Sequence, residues 1–283
     1  MSKWNTFPHD ATPFTLAIDD LESAWTDLHT GDREAWPDAP GLQEILASHP
    51  AAAPEDFDGD LNALAERIRQ AWICFHAGDF GKAIELGSEI GVLGHAPANK
   101  AAGIYAHYLE PDETVQQKIY LDAARRAETA ISLLPDDPNS WYFHAFNLGR
   151  YSQSISIVTA LRKGIGGKIQ ESLKQALELS PDHAEAHTAM GLYHSEIVDK
   201  VGKMIGAMTY GASADTAIAH FELALENNPN SPIAHMEYGN GLYMLYGDKE
   251  LDKVTELYVT ASELTPRDAM EFLDVESALK ELE

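Results

Sequence analysis

The amino-acid sequence predicts an all-α fold in which helices pair into repeated hairpins and about five hairpins stack into a solenoid. Three observations lead to this prediction. An alanine lies five residues before a proline four times, in the pairs Ala130 with Pro135, Ala176 with Pro181, Ala224 with Pro229, and Ala261 with Pro266. Bulky side chains lie eight residues before the last three prolines, at Leu173, Phe221 and Tyr258. A glycine recurs in the preceding helix, at Gly149, Gly191 and Gly239.

The composition is that of a folded, acidic protein. The chain has 283 residues, of which 45% are hydrophobic and 23% charged, and its formal net charge is −25. Such a chain can bury a sizeable core and is not disordered throughout. Because an acidic surface repels phosphate groups, we expect no nucleic-acid partner. The charge is explained either by solubility or by a basic partner.

Neither a disulfide nor a membrane segment is expected. Cys74 is the only cysteine, so the chain cannot form an intramolecular disulfide. The first residues contain no apolar stretch of the kind found in secretory signals, and no apolar run is long enough to cross a bilayer. We therefore expect a soluble cytoplasmic protein, or a periplasmic one if a leader has been removed.

Residues 1–55 differ from the rest of the chain. Six of the 14 prolines fall in this segment, where they interrupt regular structure. The spacing of apolar residues predicts short helices at 14–30 and 41–48. Because an end repeat exposes an apolar face that has to be covered, we expect residues 1–55 to be a lead-in that caps the first repeat. Residues 56–283 are then the repeat array.

The first complete hairpin is predicted at 61–90. Its first helix, at 61–77, has apolar residues at the i, i+3, i+7 spacing of an amphipathic helix. Gly78 supplies the turn into the second helix, which extends to Ile90. A second pair of helices is predicted at 98–108 and 114–134. The run from Ala77 to Leu86 resembles the hairpin of a tetratricopeptide repeat (TPR), and the spacing of alanine and proline in the later repeats agrees with it.

Two repeats contain insertions. Ile169 follows Leu148 by 21 positions and Ala217 follows His194 by 23, whereas a regular TPR has about nine here. Both insertions have apolar residues at helical spacing, so each first helix is predicted to run on or to break into a further short helix. Residues 139–212 contain seven Lys or Arg and six Asp or Glu, which is unusual in so acidic a chain.

Two interpretations of the insertions remain open. In one, they pack on each other and enlarge the core. In the other, the segments 150–168 and 194–216 form an apolar cleft with basic residues at its opening, suited to an amphipathic anion. The candidate ligand-binding residues are then Tyr142, His144, Asn147, Tyr151, Ile155, Tyr193, Lys200, Met204, Met208 and Tyr238. The candidate basic residues at the opening are Arg150, Arg162, Lys163, Lys168, Lys200 and Lys203.

Motifs for other chemistry are incomplete. The run from Asp56 to Asp60 has its glycine at the wrong position for a calcium loop, and Asp60 is better explained as a helix N-cap. His183 and His187 lack the spacing of a zinc motif. The glycines at 164–167 lack the spacing of a phosphate-binding loop. We therefore expect no metal site, no cofactor and no catalytic residue.

The stretch Ser140-Trp-Tyr-Phe-His-Ala-Phe-Asn-Leu-Gly-Arg-Tyr151 resembles the TPR domain of the regulator-of-microtubule-dynamics proteins, and so does Gly191-Leu-Tyr-His-Ser-Glu-Ile197. The resemblance covers roughly residues 115–265 and includes both insertions at matching places. The sequence also resembles the bacterial TPR proteins that accompany TRAP-type transporters. These resemblances imply an interaction or ligand-binding module without catalytic activity. They imply a lipid-binding cavity for one branch and partnership with a periplasmic solute-binding protein for the other.

The leading hypothesis is therefore a non-enzymatic binding module that holds a small amphipathic, lipid-like or anionic ligand in the cleft between the insertions. The alternative is an adaptor that binds a partner's peptide on the concave face of the TPR array. An apolar cavity at the insertions favours the first hypothesis, and an open polar groove favours the second.

Overall fold

The structure of the protein is a computed structural model that describes residues 4–283. Every regular element among these residues is helical, and the predicted all-α class is confirmed. The α-helices are α1 (Ile18–Leu28), α2 (Ala39–Ser48), α3 (Leu61–His76), α4 (Phe80–Ile90), α5 (His95–Tyr108), α6 (Glu113–Leu133), α7 (Pro138–Gln153), α8 (Ile157–Arg162), α9 (Ile165–Leu179), α10 (Ala184–Val201), α11 (Lys203–Ile205), α12 (Ala214–Asn227), α13 (Pro232–Tyr246), α14 (Leu251–Glu263) and α15 (Ala269–Glu281). A π-helix at Gly206–Tyr210 follows α11. Within residues 4–283, no helix is both long and apolar enough to span a bilayer.

Side-chain caps begin many of the repeat helices. Asp60 accepts hydrogen bonds of 3.0 Å from the backbone N–H groups of Asn62 and Ala63, so its predicted role as an N-cap is confirmed. Asp112 and Asp137 cap α6 and α7 in the same way. A carboxylate at this position satisfies N–H groups that have no partner in the first turn, and it interacts favourably with the helix dipole.

The chain forms two compact units. Unit 1 comprises the described residues up to His29, residues 34–154 and residues 268–270. Unit 2 comprises residues 30–33, 155–267 and 271–283. The division falls inside the first insertion, and it assigns α7 and α9, the two helices of one predicted repeat, to different units. The predicted division at residue 55 stays a prediction; within unit 1, α2 packs on α3.

In unit 1, helices α3 to α7 pack as successive neighbours. Aromatic side chains are fully buried in its core, among them Trp72 and Phe143. Helices α1 and α2 also pack on α3, and Trp25 of α1 lies edge-on to Trp72 with ring centroids 6.0 Å apart. These contacts cover the apolar side of α3, which would otherwise be exposed at the end of the array.

Unit 2 contains residues 155–168 of the first insertion and the whole of the second. The first forms α8, a helix of six residues that precedes α9. In the second, α10 continues to Val201, and Gly202 then adopts a φ of +86°, a conformation that favours glycine. Helix α11 and the π-helix follow. The predicted helical content of both insertions is confirmed. The first insertion forms a separate short helix, α8. In the second, α10 extends to Val201 and ends there, and a further short helix, α11, follows.

The three repeat glycines differ in their packing. A Cβ atom on Gly191 of α10 would lie 2.8 Å from the ring of Phe221 on α12, so the absence of a side chain lets these two helices approach. A Cβ atom on Gly239 would lie 3.0 Å from Tyr258. Gly149 has open space around its Cβ position. Of the three recurring glycines, Gly191 and Gly239 therefore allow close helix packing, whereas Gly149 does not have this role.

Candidate functional site

Unit 2 contains an open cleft of about 640 Å³ between α9, α10, α12 and the end of the second insertion. The residues that line it are Gln170, Lys174, Leu177, Glu178, Met190, His194, Tyr210, Gly211, Thr216 and His220. Its volume is typical of small-molecule sites, which occupy roughly 300–1,000 Å³. Its apolar surface comes from Leu177, Met190 and the ring of Tyr210, and six of the ten lining residues have polar or charged side chains.

The second insertion shapes one side of this cleft. Tyr210 ends the π-helix, and its carbonyl oxygen accepts a 2.7 Å hydrogen bond from Gln170 Nε2 on α9. Gly211 then turns the chain with a left-handed backbone, and Ser213 caps α12 by accepting a bond from Thr216 N–H. A regular repeat would join α10 to α12 by a short turn, so the cleft depends on the insertion.

The same insertion also extends the core of unit 2. Val198 and Ala212 are buried in one cluster with Phe221, and Ile197 and Tyr210 pack against this cluster. The two ends of the insertion therefore enlarge the core, and its last residues line the cleft as well.

Three imidazoles form a hydrogen-bonded and stacked group at the cleft. His187 Nε2 lies 2.9 Å from the carbonyl oxygen of Pro181, which can only accept, so His187 donates from Nε2. In its neutral form His187 then accepts at Nδ1, 2.8 Å from His220 Nδ1, which donates. His194 Nδ1 accepts from Ser213 N–H at 3.4 Å, and its ring stacks on that of His220. Neutral His194 therefore has an N–H donor at Nε2, and neutral His220 has an acceptor at Nε2.

Burial keeps the two lining imidazoles neutral near pH 7. The pKa of His194 is lowered to about 4, chiefly by burial and in addition by the positive charge of Lys174. The pKa of His220 is also lowered to about 4, chiefly by burial and further by His187 and His194. The charged lining groups are then Lys174 and Glu178, which lie one turn apart on α9.

Lowering the pH from about 7 to about 4.5 is expected to destabilise unit 2. An imidazole in the unfolded chain binds a proton near pH 6.5, whereas His194 and His220 in the folded protein bind one only near pH 4. Between these values the unfolded state holds more protons, so the free energy of unfolding falls as the pH falls. These two groups contribute no further change above about pH 7. Thermal unfolding followed by circular dichroism should show a midpoint lower by on the order of 5 °C.

The double variant His194→Gln/His220→Gln is the control for this pH effect, because it removes both groups with lowered pKa values. Its midpoint should fall less over the same pH range. An equal fall in both proteins would assign the effect to other groups, such as His107 of unit 1, whose pKa is lowered to about 3 by burial and by Arg150.

Four predicted ligand-binding residues lie in unit 1, whereas the cleft lies in unit 2. They are Tyr142, His144, Asn147 and Tyr151, which are all buried on α7. Asn147 Nδ2 donates to the carbonyl oxygens of Asn99 and Phe143, at 3.3 and 3.0 Å. His144 Nε2 lies 3.5 Å from a carboxylate oxygen of Glu128 on α6. In the structure these side chains pack within unit 1 and connect its helices.

The other six predicted residues lie in unit 2, and none is among those that line the cleft. They are Ile155, Tyr193, Lys200, Met204, Met208 and Tyr238. Tyr193 is buried next to His194, and its ring lies with that of Tyr210 beside Gly166. Tyr238 stacks on Phe221 with ring centroids 5.1 Å apart. Lys200 forms a 2.8 Å ion pair with Glu196.

The exposure of the two predicted methionines differs most from what the sequence led us to expect. Met204 and Met208 were predicted to line the cleft, but their exposed fractions are 76% and 83%. The physical reason is the turn at Gly202, after which side chains no longer continue the buried face of α10.

Several lining residues were not among the sequence candidates. His194 and Tyr210 lie in the predicted second insertion. Their position in that insertion is the feature of the sequence that could have identified them as lining residues. Lys174 and His220 belong to regular repeat helices, where only packing shows that they face a cleft. Over residues 4–283, no group of three or more His, Cys, Asp or Glu side chains is arranged to hold a metal ion.

Comparison with known proteins gives a family match and a fold match. The family model of regulator of microtubule dynamics protein 1-3 (RMD1-3) matches residues 98–277, which include both insertions and the whole cleft. No curated protein matches the sequence.

Among solved structures, the chain is similar to TTC0263, a thermophilic TPR protein of Thermus thermophilus. The TM-score is 0.54 at 15% identity, with 77% of this chain and 99% of that chain covered. This match confirms the predicted TPR-type fold. Two structures of IFIT1 monomeric mutants, one with Gppp-AAAA and one with m7Gppp-AAAA, each match with a TM-score of 0.41 at 15% identity. They cover 86% and 93% of this chain, and 63% and 72% of their own chains.

Proposed function

Because the chain belongs to the regulator of microtubule dynamics protein 1-3 family, we propose that it is a non-enzymatic TPR binding module that holds a small amphipathic anion in the cleft of unit 2. The TPR-like fold suggests a binding or adaptor module, and this fold and family are generally non-catalytic. The observation that carries the proposal is the cleft beside the second insertion, in which apolar surface from Leu177, Met190 and Tyr210 lies beside polar and charged side chains.

The apolar part of the ligand would lie against Leu177, Met190 and the ring of Tyr210. Met190 is buried on α10, and its flexible thioether side chain adapts to ligands of different shape. Burial of apolar surface stabilises the complex by about 25 cal/mol per Å² before the cost of immobilising the ligand is counted.

The anionic group would lie near Lys174 and the Nε2–H donor of His194. The ammonium group of Lys174 attracts an anion, and it is close enough to His194 to lower the pKa of that imidazole. The carboxylate of Glu178, one turn further along α9, repels an anion, so the anionic group is expected on the side of Lys174 away from Glu178. This pair of charges therefore favours one orientation of an amphipathic anion over the reverse one.

A buried polar group lies in the second insertion's surroundings but does not line the cleft. The hydroxyl of Tyr193 is buried and has no hydrogen-bond partner within residues 4–283. Its pKa is raised to about 12, chiefly by burial and further by Tyr210, so the hydroxyl stays protonated and can donate. A buried hydroxyl without a partner costs about 1–3 kcal/mol of stability. Tyr193 does not line the cleft, so it contributes no ligand contact to this proposal.

The proposal is tested first by native mass spectrometry of the purified protein and by calorimetric titration with decanoate, a single-chain carboxylate. We expect decanoate to bind and neutral decanol to bind more weakly. The variant Lys174→Glu should weaken decanoate binding about tenfold or more, which corresponds to about 1.4 kcal/mol. Because Lys174 is exposed, this change should leave the unfolding midpoint nearly unchanged.

Two matched variants make this test specific. Lys118→Glu reverses the charge of an exposed lysine in unit 1 and should leave decanoate binding unchanged. Tyr193→Phe should leave decanoate binding unchanged and the ligand-free protein as stable or more stable, because it removes a buried hydroxyl that has no partner and does not line the cleft. A ligand-free native mass, together with equal titrations for Lys174→Glu and Lys118→Glu, would refute the proposal.

A separate observation favours the alternative function, an adaptor that binds a peptide. In unit 1, residues 34–36 have no regular structure and lie on α3 and α7. Asn139 Nδ2 donates a 2.6 Å hydrogen bond to the carboxylate of Glu34, and the guanidinium of Arg69 lies 5.3 Å from the ring centroid of Trp36. These helices thus hold an acidic and aromatic segment of their own chain, much as an adaptor holds a peptide. A ligand-free mass and no binding of decanoate would favour this function.

A further inference from the structure

We propose that the two insertions form a docking surface for an anionic membrane surface. This surface, the insertion tip, consists of Ile157, Val158 and Leu161 of α8 and Met204, Ile205 and Met208 of the second insertion. All six are exposed, and the exposed fraction of Val158 reaches 70%. Single exposed apolar residues are ordinary, but six large ones within two short segments mark an interaction site. The inference does not depend on a ligand in the cleft.

The two segments of the insertion tip emerge at the same end of their helices. Helix α10 packs on both α9 and α12, so the start of α9, the end of α10 and the start of α12 lie together. A Cβ atom on Gly166, near the start of α9, would lie 3.7 Å from the ring of Tyr210 and 3.8 Å from the side chain of Ile197. The first insertion therefore ends directly against the second.

The charge of these segments is opposite to that of the whole chain. Residues 155–168 contain Arg162, Lys163 and Lys168 and no acidic residue. Residues 197–212 contain two lysines and one aspartate. The two segments thus carry a formal charge of about +4 in a protein whose net charge is −25. An acidic protein approaches an anionic membrane most favourably with such a basic region, since each Lys or Arg near that surface contributes about fivefold in binding.

The shape of the insertion tip favours a membrane over a protein groove. Helix α8 has six residues, and α11 with the π-helix that continues it has eight. In each, the three exposed apolar residues lie at i, i+1 and i+4, without the i+7 anchor of the row that a helix presents to a groove. Side chains as exposed as Met204 and Met208 project from the surface instead of forming a flat contact. The interfacial region of a bilayer accepts separate projecting apolar side chains because it requires no matching shape.

A second copy of this chain is a less favourable occupant. In a symmetric dimer the same surface faces itself, so Arg162 and Lys203 of one copy would approach the same residues of the other. Such an arrangement places like charges together around the apolar contact, whereas an anionic lipid surface neutralises them.

The test is flotation of the full chain with vesicles of phosphatidylcholine, with and without phosphatidylserine. We expect binding to the vesicles that contain phosphatidylserine and a decrease of binding at high salt. The variant Met204→Ser/Met208→Ser should bind at least about tenfold more weakly. The variant Arg162→Glu/Lys203→Glu should lose the preference for phosphatidylserine. All four positions are exposed, so the folded structure should be retained.

Matched controls change the same residue types elsewhere. Leu251→Ser/Leu279→Ser alters two large apolar side chains that are 48% and 49% exposed, and Lys118→Glu/Lys249→Glu reverses two exposed lysines. Neither control should change vesicle binding by more than about twofold. Absence of vesicle binding, or an equal loss in the controls, would overturn the proposal. So would a wild-type dimer that Met204→Ser/Met208→Ser dissociates, because the occupant would then be a second copy.

The decanoate titration separates this proposal from that of the cleft. Loss of vesicle binding by Met204→Ser/Met208→Ser with unchanged decanoate binding supports the insertion tip, whatever binds in the cleft. Loss of decanoate binding with unchanged vesicle binding would instead make the two methionines part of the ligand site, and it would overturn the docking surface.

Discussion

Replacement of Phe221 by alanine is expected to lower the free energy of unfolding by about 3–5 kcal/mol. Phe221 is fully buried on α12, and its ring stacks on that of Tyr238. A Cβ atom at Gly191 would lie 2.8 Å from this ring, and one at Gly241 would lie closer still. The ring thus fills the space that two glycines leave on neighbouring helices. Because backbone atoms surround much of it, the cavity cannot close by side-chain movement, and the loss should lie near the upper end of the range.

The variant Leu223→Ala provides the control on the same helix. Leu223 lies two positions after Phe221 and is 38% exposed, so its loss should cost less than about 1 kcal/mol. Urea unfolding followed by far-UV circular dichroism measures both variants. Equal losses for the two variants would show that α12 does not pack through Phe221.

Replacement of Asp268 by alanine is expected to cost unit 1 about 3 kcal/mol or more. Asp268 Oδ2 lies 2.8 Å from His76 Nδ1, and both side chains are buried. The other ring nitrogen of His76 lies 3.4 Å from His29 Nε2. Removal of the carboxylate leaves a buried imidazole N–H without its acceptor, and the cost of desolvating that group is then not compensated.

Tryptophan emission is the appropriate measurement for this variant. All five tryptophans belong to unit 1, and Trp72 stacks on His76 with ring centroids 5.7 Å apart. Asp268→Asn keeps a carbonyl oxygen as an acceptor and should restore part of the stability. Asp56→Ala removes only an exposed ion pair with Arg67 and should cost less than about 1 kcal/mol. A loss for Asp268→Ala no larger than that for Asp56→Ala would rule out the buried pair as a source of stability.

Local sequence signals were sufficient for the repeat array. The recurring alanine and proline predict the helix pairs directly from sequence, because a small residue permits close helix packing and a proline ends a helix. The N-cap at Asp60 is equally local, since its carboxylate bonds to N–H groups two and three positions later. The insertions could also be found from sequence, because they lengthen a distance that the repeat otherwise keeps constant.

The candidate site could be predicted only in part. One of the two interpretations of the sequence had both insertions form a cleft, and in the structure His194 and Tyr210 of the second insertion line one. The sequence also suggested His144 and Asn147, because they recur at helical spacing on α7. That spacing identifies residues on one side of a helix but not what packs against that side, and in the structure both residues are buried within unit 1.

The sequence by itself determined the helices, their order, the repeat register and the positions of the two insertions, because each depends on interactions between residues close in the chain. Tertiary structure decided which side chains face a cleft, which face the core and which face solvent. Met204 and Met208 illustrate the difference. They continue the apolar periodicity of α10, but the turn at Gly202 changes the direction of the chain and leaves both exposed. Lys174 and His220 come together only because α9 and α12 both border the same cleft beside α10. The exposure of a side chain depends on the packing of distant segments, which a local pattern does not contain.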